Sequence, residues 1–256
     1  MKILIDTNVY LDFYRSNKEG MILLSELIAL DGVIILTDQI IQEFERSREK
    51  VLRTVLKNFE QESKNGGFTS SLLNDMEEFK ELVRAQKLYR DKINKVIKLI
   101  TEMLDNPSKD KIAVSFKELV DRAIVSRKIW STDDEIIKNA QTRKLIGNPP
   151  TTIDRYSIGD EVNWEIVLRN VDEDIIVVSR DNTFYDNFSF LKKEFGKRTG
   201  HRLQGVIDRI TDALKTVGIR PGNGVEAAEK KLIESIEDSH YSEFWKRPAK
   251  VEDTTF

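Results

Sequence analysis

Three short aliphatic runs, residues 2–5, 33–36 and 175–179, lie far apart in a chain otherwise patterned for helices. Each is nearly free of polar groups and rich in Ile, Leu and Val, the pattern of strands buried on both faces. Strands of that kind need cover on two sides, and parallel neighbours need long crossovers. The intervening segments can supply them. Residues 23–30 have helical spacing and stop at Asp31-Gly32, and Thr37-Asp38 caps a helix containing Ile40, Ile41 and Phe44. Residues 160–168, roughly 188–197 and 207–217 are helical by the same test, with a further strand at 202–206. The pattern predicts an α/β fold around a mostly parallel sheet.

Residues 46–145 break this rhythm and read as a large helical insertion between the second and third strands. Val51, Leu52, Val55, Leu56 and Phe59 recur at helical intervals, then Asn65-Gly66-Gly67 interrupts. A second series runs through Phe79, Leu82, Val83, Tyr89, Ile93, Val96, Ile97 and Ile100. Two such stripes joined by a glycine turn predict an antiparallel hairpin whose apolar faces cover each other. A third helix is expected at 116–124, and Thr132 to Glu135 fits a capping box opening a fourth. Gly147-Asn148-Pro149-Pro150 reads as a rigid loop. The expected division is a domain at 1–220 bearing the insertion, followed by a C-terminal helical extension and tail at 221–256.

In open parallel sheets ligands bind at the carboxyl ends of the strands. Asp6 follows the first strand directly and Asp181 lies two residues past the run at 175–179, so both belong at one sheet edge. Glu43 borders the buried face marked by Ile40 and Phe44, and Asp160 shares a helix face with Trp164 and Val167. Taken singly, each has an ordinary reading: a cap or turn residue for Asp6, Asp160 and Asp181, a solvated helix glutamate for Glu43. Taken together, four converging carboxylates would repel unless one took up a proton or a cation balanced them. Hard oxygen donors, no cysteine and only two histidines select Mg²⁺ or Mn²⁺. His201 and His240 have no base pairing in the sequence and are expected at the surface.

Four segments, "ILIDTN", "TDQIIQEFE", "GNPP" before "IGDEVNWEIVL", and "IIVVSRDNTF", resemble the acidic motifs of PIN-domain nucleases. The resemblance spans residues 1–184 apart from the insertion, and is closest to members with a long helical insertion between the second and third motifs. It implies a three-layer α/β/α sandwich and metal-dependent phosphodiester hydrolysis, usually of RNA. Its implied catalytic and metal-binding acids are Asp6, Glu43, Asp160 and Asp181, with Thr7 and Asn8 as polar neighbours that orient ligands or water. Many members carry a second acid two residues past the last motif aspartate; Thr183 stands there instead, with Asp186 nearby. This leaves one or two metals open. Glu161, next to Asp160, is a further candidate helper, against the ordinary reading of a solvent-exposed side chain.

Acids alone would repel a polynucleotide, and the net charge of −3 provides no general attraction. Substrate would need local cations: Arg180 beside Asp181, then Arg46, Arg48 and Lys50 beyond Glu43, and Lys192, Lys193, Lys197 and Arg198. Tyr10, Phe13 and Tyr14 are spaced either for base stacking or for packing on the sheet. The leading expectation is a cytoplasmic endoribonuclease, a toxin or defence effector being one such role. A DNA-directed nuclease of the same fold and a non-catalytic binding module are the alternatives. A phosphotransferase with Asp6 as nucleophile would want a second aspartate where Asn8 stands. The insertion could serve a homo-oligomer or protein partner. No apolar run reaches membrane-spanning length.

Overall fold

Five parallel strands in the order β3-β2-β1-β4-β5 form the centre of the computed structural model, which describes residues 1–15, 18–30, 32–64, 70–126, 128–151 and 157–238. In chain order, β1 (Lys2–Ile5) leads through α1 (Thr7–Leu11), a 3-10 turn at Asp12–Arg15 and α2 (Lys18–Ala29) to β2 (Ile34–Thr37). Then come α3 (Asp38–Lys64), α4 (Glu77–Asp105), α5 (Lys111–Val125), β3 (Ile129–Trp130) and α6 (Asp134–Leu145). The chain closes with α7 (Gly159–Asn170), β4 (Ile175–Val178), α8 (Asn182–Asp186), α9 (Phe188–Thr199), β5 (Leu203–Ile207), α10 (Ile210–Thr216) and α11 (Val225–Asp238). The Asn65-Gly66-Gly67 break, His240 and the tail past residue 238 lie outside the described residues.

The register follows from burial. β1 pairs with β2 and β4 together, Ile3 lying opposite Ile34 and Ile176, and all four residues of β2 and of β4 are buried. β1 and β4 are therefore flanked by strands on both edges and by helices on both faces, which is why their sequences lack the polar alternation of a half-exposed strand. The architecture is a three-layer α/β/α sandwich. On one side α6, α7 and α9 pack on one another, with Ile136, Ala140, Val162 and Ile166 closing the α6–α7 seam. On the other, α2, α10 and α11 pack together. No helix among the described residues is long and apolar enough to cross a membrane.

The chain separates into two compact units, residues 1–45 with 115–256, and residues 46–114. The first holds the sheet. It also holds β3 and α6, which the sequence had placed inside the insertion, and α11, which the sequence had placed in a separate extension. The structure also decides two finer points. Asp133, not Thr132, caps α6, accepting from Ile136 N at 2.9 Å, while Thr132 binds the Asp38 carboxylate through its amide and its hydroxyl, each at 2.7 Å. Tyr10 and Phe13 are core residues: Tyr10 meets Phe116 edge-on at 5.1 Å and Phe116 stacks on Phe44 at 3.9 Å.

The second unit contains α4 and the greater part of α3. Ile93 and Ile100 of the α4 stripe are buried, but Leu82, Val83 and Tyr89 are exposed, so the expected seam closes only toward the helix's end. Arg48 is not on an outward basic face. It is buried, donating to Asp110 at 2.7 Å and to the Met103 carbonyl at 2.5 Å. A charge pair withdrawn from water in this way is held by its hydrogen bonds, and either partner alone would be costly.

Candidate active site

Asp6 ends β1 and continues its ladder, its amide donating to the Val178 carbonyl at 2.9 Å. The neighbouring strand β4 has just ended as well, and the hydroxyl of Ser179, the next residue, donates to Asp6 Oδ2 at 2.8 Å. The same Ser179 oxygen accepts the amide of Asp181 at 3.1 Å. One hydroxyl thus links the two strand-end aspartates, and nothing in the sequence pattern singled it out. Asp181 in turn takes both the amide and the hydroxyl of Thr183 on Oδ1, at 2.9 and 2.6 Å. Where a second acid was expected, a threonine therefore orients the first. Asp186 is exposed.

Glu43 arrives from α3, whose start is capped by Thr37 accepting from Ile40 N at 3.0 Å. Thr37 also donates to Asn163 Oδ1 at 2.5 Å, tying the end of β2 to α7. Thr7, fully buried, donates to Glu43 Oε2 at 3.2 Å. The first residue of α7 lies against the same carboxylate: a Cβ on Gly159 would stand 3.5 Å from Glu43 Oε2 and 2.7 Å from Gln39 Nε2. Asp160 follows directly, and it lines a cavity of about 10 Å³ with Asp6, Leu4, Ile40, Asn163, Val177 and Phe184. That is room for about one water-sized body.

The electrostatics are those of crowded acids. The Asp6 carboxyl is pushed up from 3.8 to about 7, first by burial, then by the negative charge of Glu43 and, to a smaller extent, of Asp181. The Ser179 hydroxyl and the Asn8 backbone amide act in the opposite direction and do not cancel it. The donor set is oxygen only, as a hard divalent cation requires. Among the described residues, no three Asp, Glu, His or Cys side chains stand close enough together to enclose an ion. The acids approach one another without forming a finished coordination shell.

Arg180 points inward. Its guanidinium bonds Asp12 and lies 3.8 Å from Glu229 Oε1, while its Nε and Nη2 are buried without a hydrogen-bond partner. Glu229, fully buried on α11, also accepts the amides of Ile210 and Thr211 at 2.6 and 2.9 Å and the Thr211 hydroxyl at 2.6 Å. One carboxylate thus caps α10 and faces the arginine next to Asp181. Asp12 and Glu229 had no sequence signal, since their partners lie 168 and 18–19 residues away. Glu229→Ala should lower unfolding free energy by roughly 3 kcal/mol, because it strands two buried amides and a buried cation. Urea titration checks this; a loss below about 1 kcal/mol would mean the network relaxes around the gap.

A second buried network anchors α7. Arg143 donates to Glu165 Oε1 at 2.6 and 2.9 Å, to Glu194 at 2.6 and 3.0 Å, and to the Pro149 carbonyl at 2.6 Å. Arg198 reaches Glu165 Oε2 at 2.8 Å and Trp164 Nε1 reaches Glu194 at 2.9 Å. Burial acts to lower the Arg143 pKa, but bonds to Glu194 and Glu165 raise it on balance. Glu161, expected at the surface, is buried and accepts from Thr151 at 2.8 Å, with Lys144 at 3.3 Å. Compared with known families, the chain matches the PIN domain over residues 3–184. Neither curated proteins nor solved structures gave a match.

Proposed function

Because the chain belongs to the PIN-domain family, whose members are nucleases, we propose that it is a Mg²⁺- or Mn²⁺-dependent endoribonuclease using Asp6, Glu43, Asp160 and Asp181. The observation that carries this reading is the half-buried Asp6 carboxylate at the end of β1, linked through Ser179 to Asp181 beyond the end of β4 and raised in pKa by the charges of Glu43 and Asp181. Acids in that arrangement destabilise one another until a cation or proton offsets their charge. Asp6 and Asp181, fixed by Ser179 and Thr183, would hold the ion together with Glu43 and Asp160. When bound, it would acidify an attacking water and neutralise charge on the phosphoryl oxygens. Thr7 keeps Glu43 oriented through its hydroxyl. Asn8, half-buried two residues after Asp6, would offer its side-chain amide to a water or a phosphate oxygen. Arg180 contributes by position, as a cation held next to Asp181.

The test is direct. The purified chain with Mn²⁺ should cut single-stranded RNA to products with 5′-phosphate and 3′-hydroxyl ends, and excess chelator should stop it. Equal cleavage in chelator and in metal would end the metal-dependent reading, and faster cutting of a matched DNA strand would assign the site to DNA.

A further inference from the structure

Residues 46–114 carry the opposite charge to the chain as a whole. Lysines and arginines outnumber acids there by fifteen to eleven, against 41 to 44 over all 256 residues. Within this unit one open face of α3 presents Arg46, Glu49, Lys50, Arg53, Thr54 and Lys57 together. Intervals of four, three and four place the four cations in a single stripe about 16 Å long. It is not the helix's packing face, because Val51 and Leu52 are buried while Arg46, Lys50, Arg53 and Lys57 are exposed.

Like charges three or four residues apart cost a helix a few tenths of a kcal/mol each. The stripe sets four such cations along three turns. Glu49 offsets part of that cost by accepting Arg53 Nε and Nη2 at 2.9 and 2.6 Å. Both side chains of that pair are more than half exposed, so the pairing is weak and exchanges readily for another anion. A row of flexible cations along an open helix face, with no aromatic ring among them, matches a repeating anion rather than a base or an apolar ligand.

We propose that this stripe binds the phosphate backbone of the RNA substrate without reading its bases. The proposal rests on the nuclease reading, but binding can be measured apart from cleavage. The probe is a fluorescein-labelled single-stranded RNA, titrated with the full chain in chelator over a series of KCl concentrations. Each phosphate contact contributes about 0.7 to the slope of log affinity against log salt. Lys50→Gln with Lys57→Gln should flatten that slope by about 1.4 and weaken binding severalfold, and Lys50→Glu with Lys57→Glu should weaken it further. An affinity and slope equal to the parent's, in a variant that melts at the parent's temperature, would overturn the stripe and leave the nuclease reading intact. The stripe is also overturned if the parent does not bind the RNA, or binds an acidic polypeptide more tightly. A parent that binds RNA through these lysines but never cuts it would sink the nuclease reading alone.

Discussion

On the nuclease reading, Asp6→Asn should abolish RNA cleavage and, in the metal-free protein at pH 8, should raise the melting temperature by several degrees. Both effects follow from one carboxylate. In the folded chain Asp6 titrates near 7 instead of 3.8, because burial and the charges of Glu43 and Asp181 disfavour its ionised form. Between those two values the native state holds a proton that the unfolded state has released. Stability therefore falls as pH rises from about 4 through 7, and the full penalty is present above that. At 1.36 kcal/mol per pH unit the penalty is on the order of 4 kcal/mol. Asparagine removes the charge and can still accept the Ser179 hydroxyl, so the variant's melting curve should be nearly flat across the same window. Added Mn²⁺ should do for the parent at pH 8 what the substitution does, and much less at pH 5, where a proton already occupies Asp6. Scanning calorimetry at both pH values, with and without Mn²⁺, checks each step. Retained cleavage, or a parent as stable metal-free at pH 8 as at pH 5, would count against the acidic site.

How far the sequence could be read depended on the range of the interaction. The strands at 2–5 and 175–178 were legible because burial on both faces leaves an unbroken aliphatic run. The placement of Asp6 and Asp181 at one edge then followed from parallel pairing alone. β3 was missed because two residues, Ile129 and Trp130, are too few to show any period. Glu161 was misassigned because every residue of α7 from Glu161 to Leu168 is buried, and periodicity is uninformative in a helix covered all round. Arg48 was read as part of a basic face because its partner, Asp110, lies 62 residues away. Ser179, Asp12 and Glu229 belong to the same class. Each is an unremarkable polar residue until the fold supplies its neighbour. The PIN-domain match ends at residue 184, yet α11 contributes Glu229 to the arginine beside the last acid.

Arg143→Met should be the most destabilising single substitution outside the aliphatic core, costing about 3–5 kcal/mol. The reason is the arrangement of its partners. Arg143 and Glu165 are almost fully buried and Glu194 largely so, and the guanidinium supplies five hydrogen bonds shared among Glu165, Glu194 and the Pro149 carbonyl. Methionine fills similar volume but leaves two carboxylates facing a region from which water is largely excluded. Arg198 still holds one oxygen of Glu165 and Trp164 one oxygen of Glu194, so the loss is large without being total. If uncompensated charge is the cause, Arg143→Met combined with Glu165→Leu recovers part of the loss, since an apolar pair avoids the desolvation that a lone carboxylate suffers. If lost packing is the cause, the double variant is worse than the single one. Guanidinium midpoints for parent, single and double variants separate these outcomes. The same network fixes α7, which carries Asp160 in its first turn. The single variant should therefore also lose much of the rise in melting temperature that Mn²⁺ gives the parent, even where it remains folded. A variant that unfolds within 1 kcal/mol of the parent and keeps that rise would show that α7 is held by its apolar contacts with α6 alone.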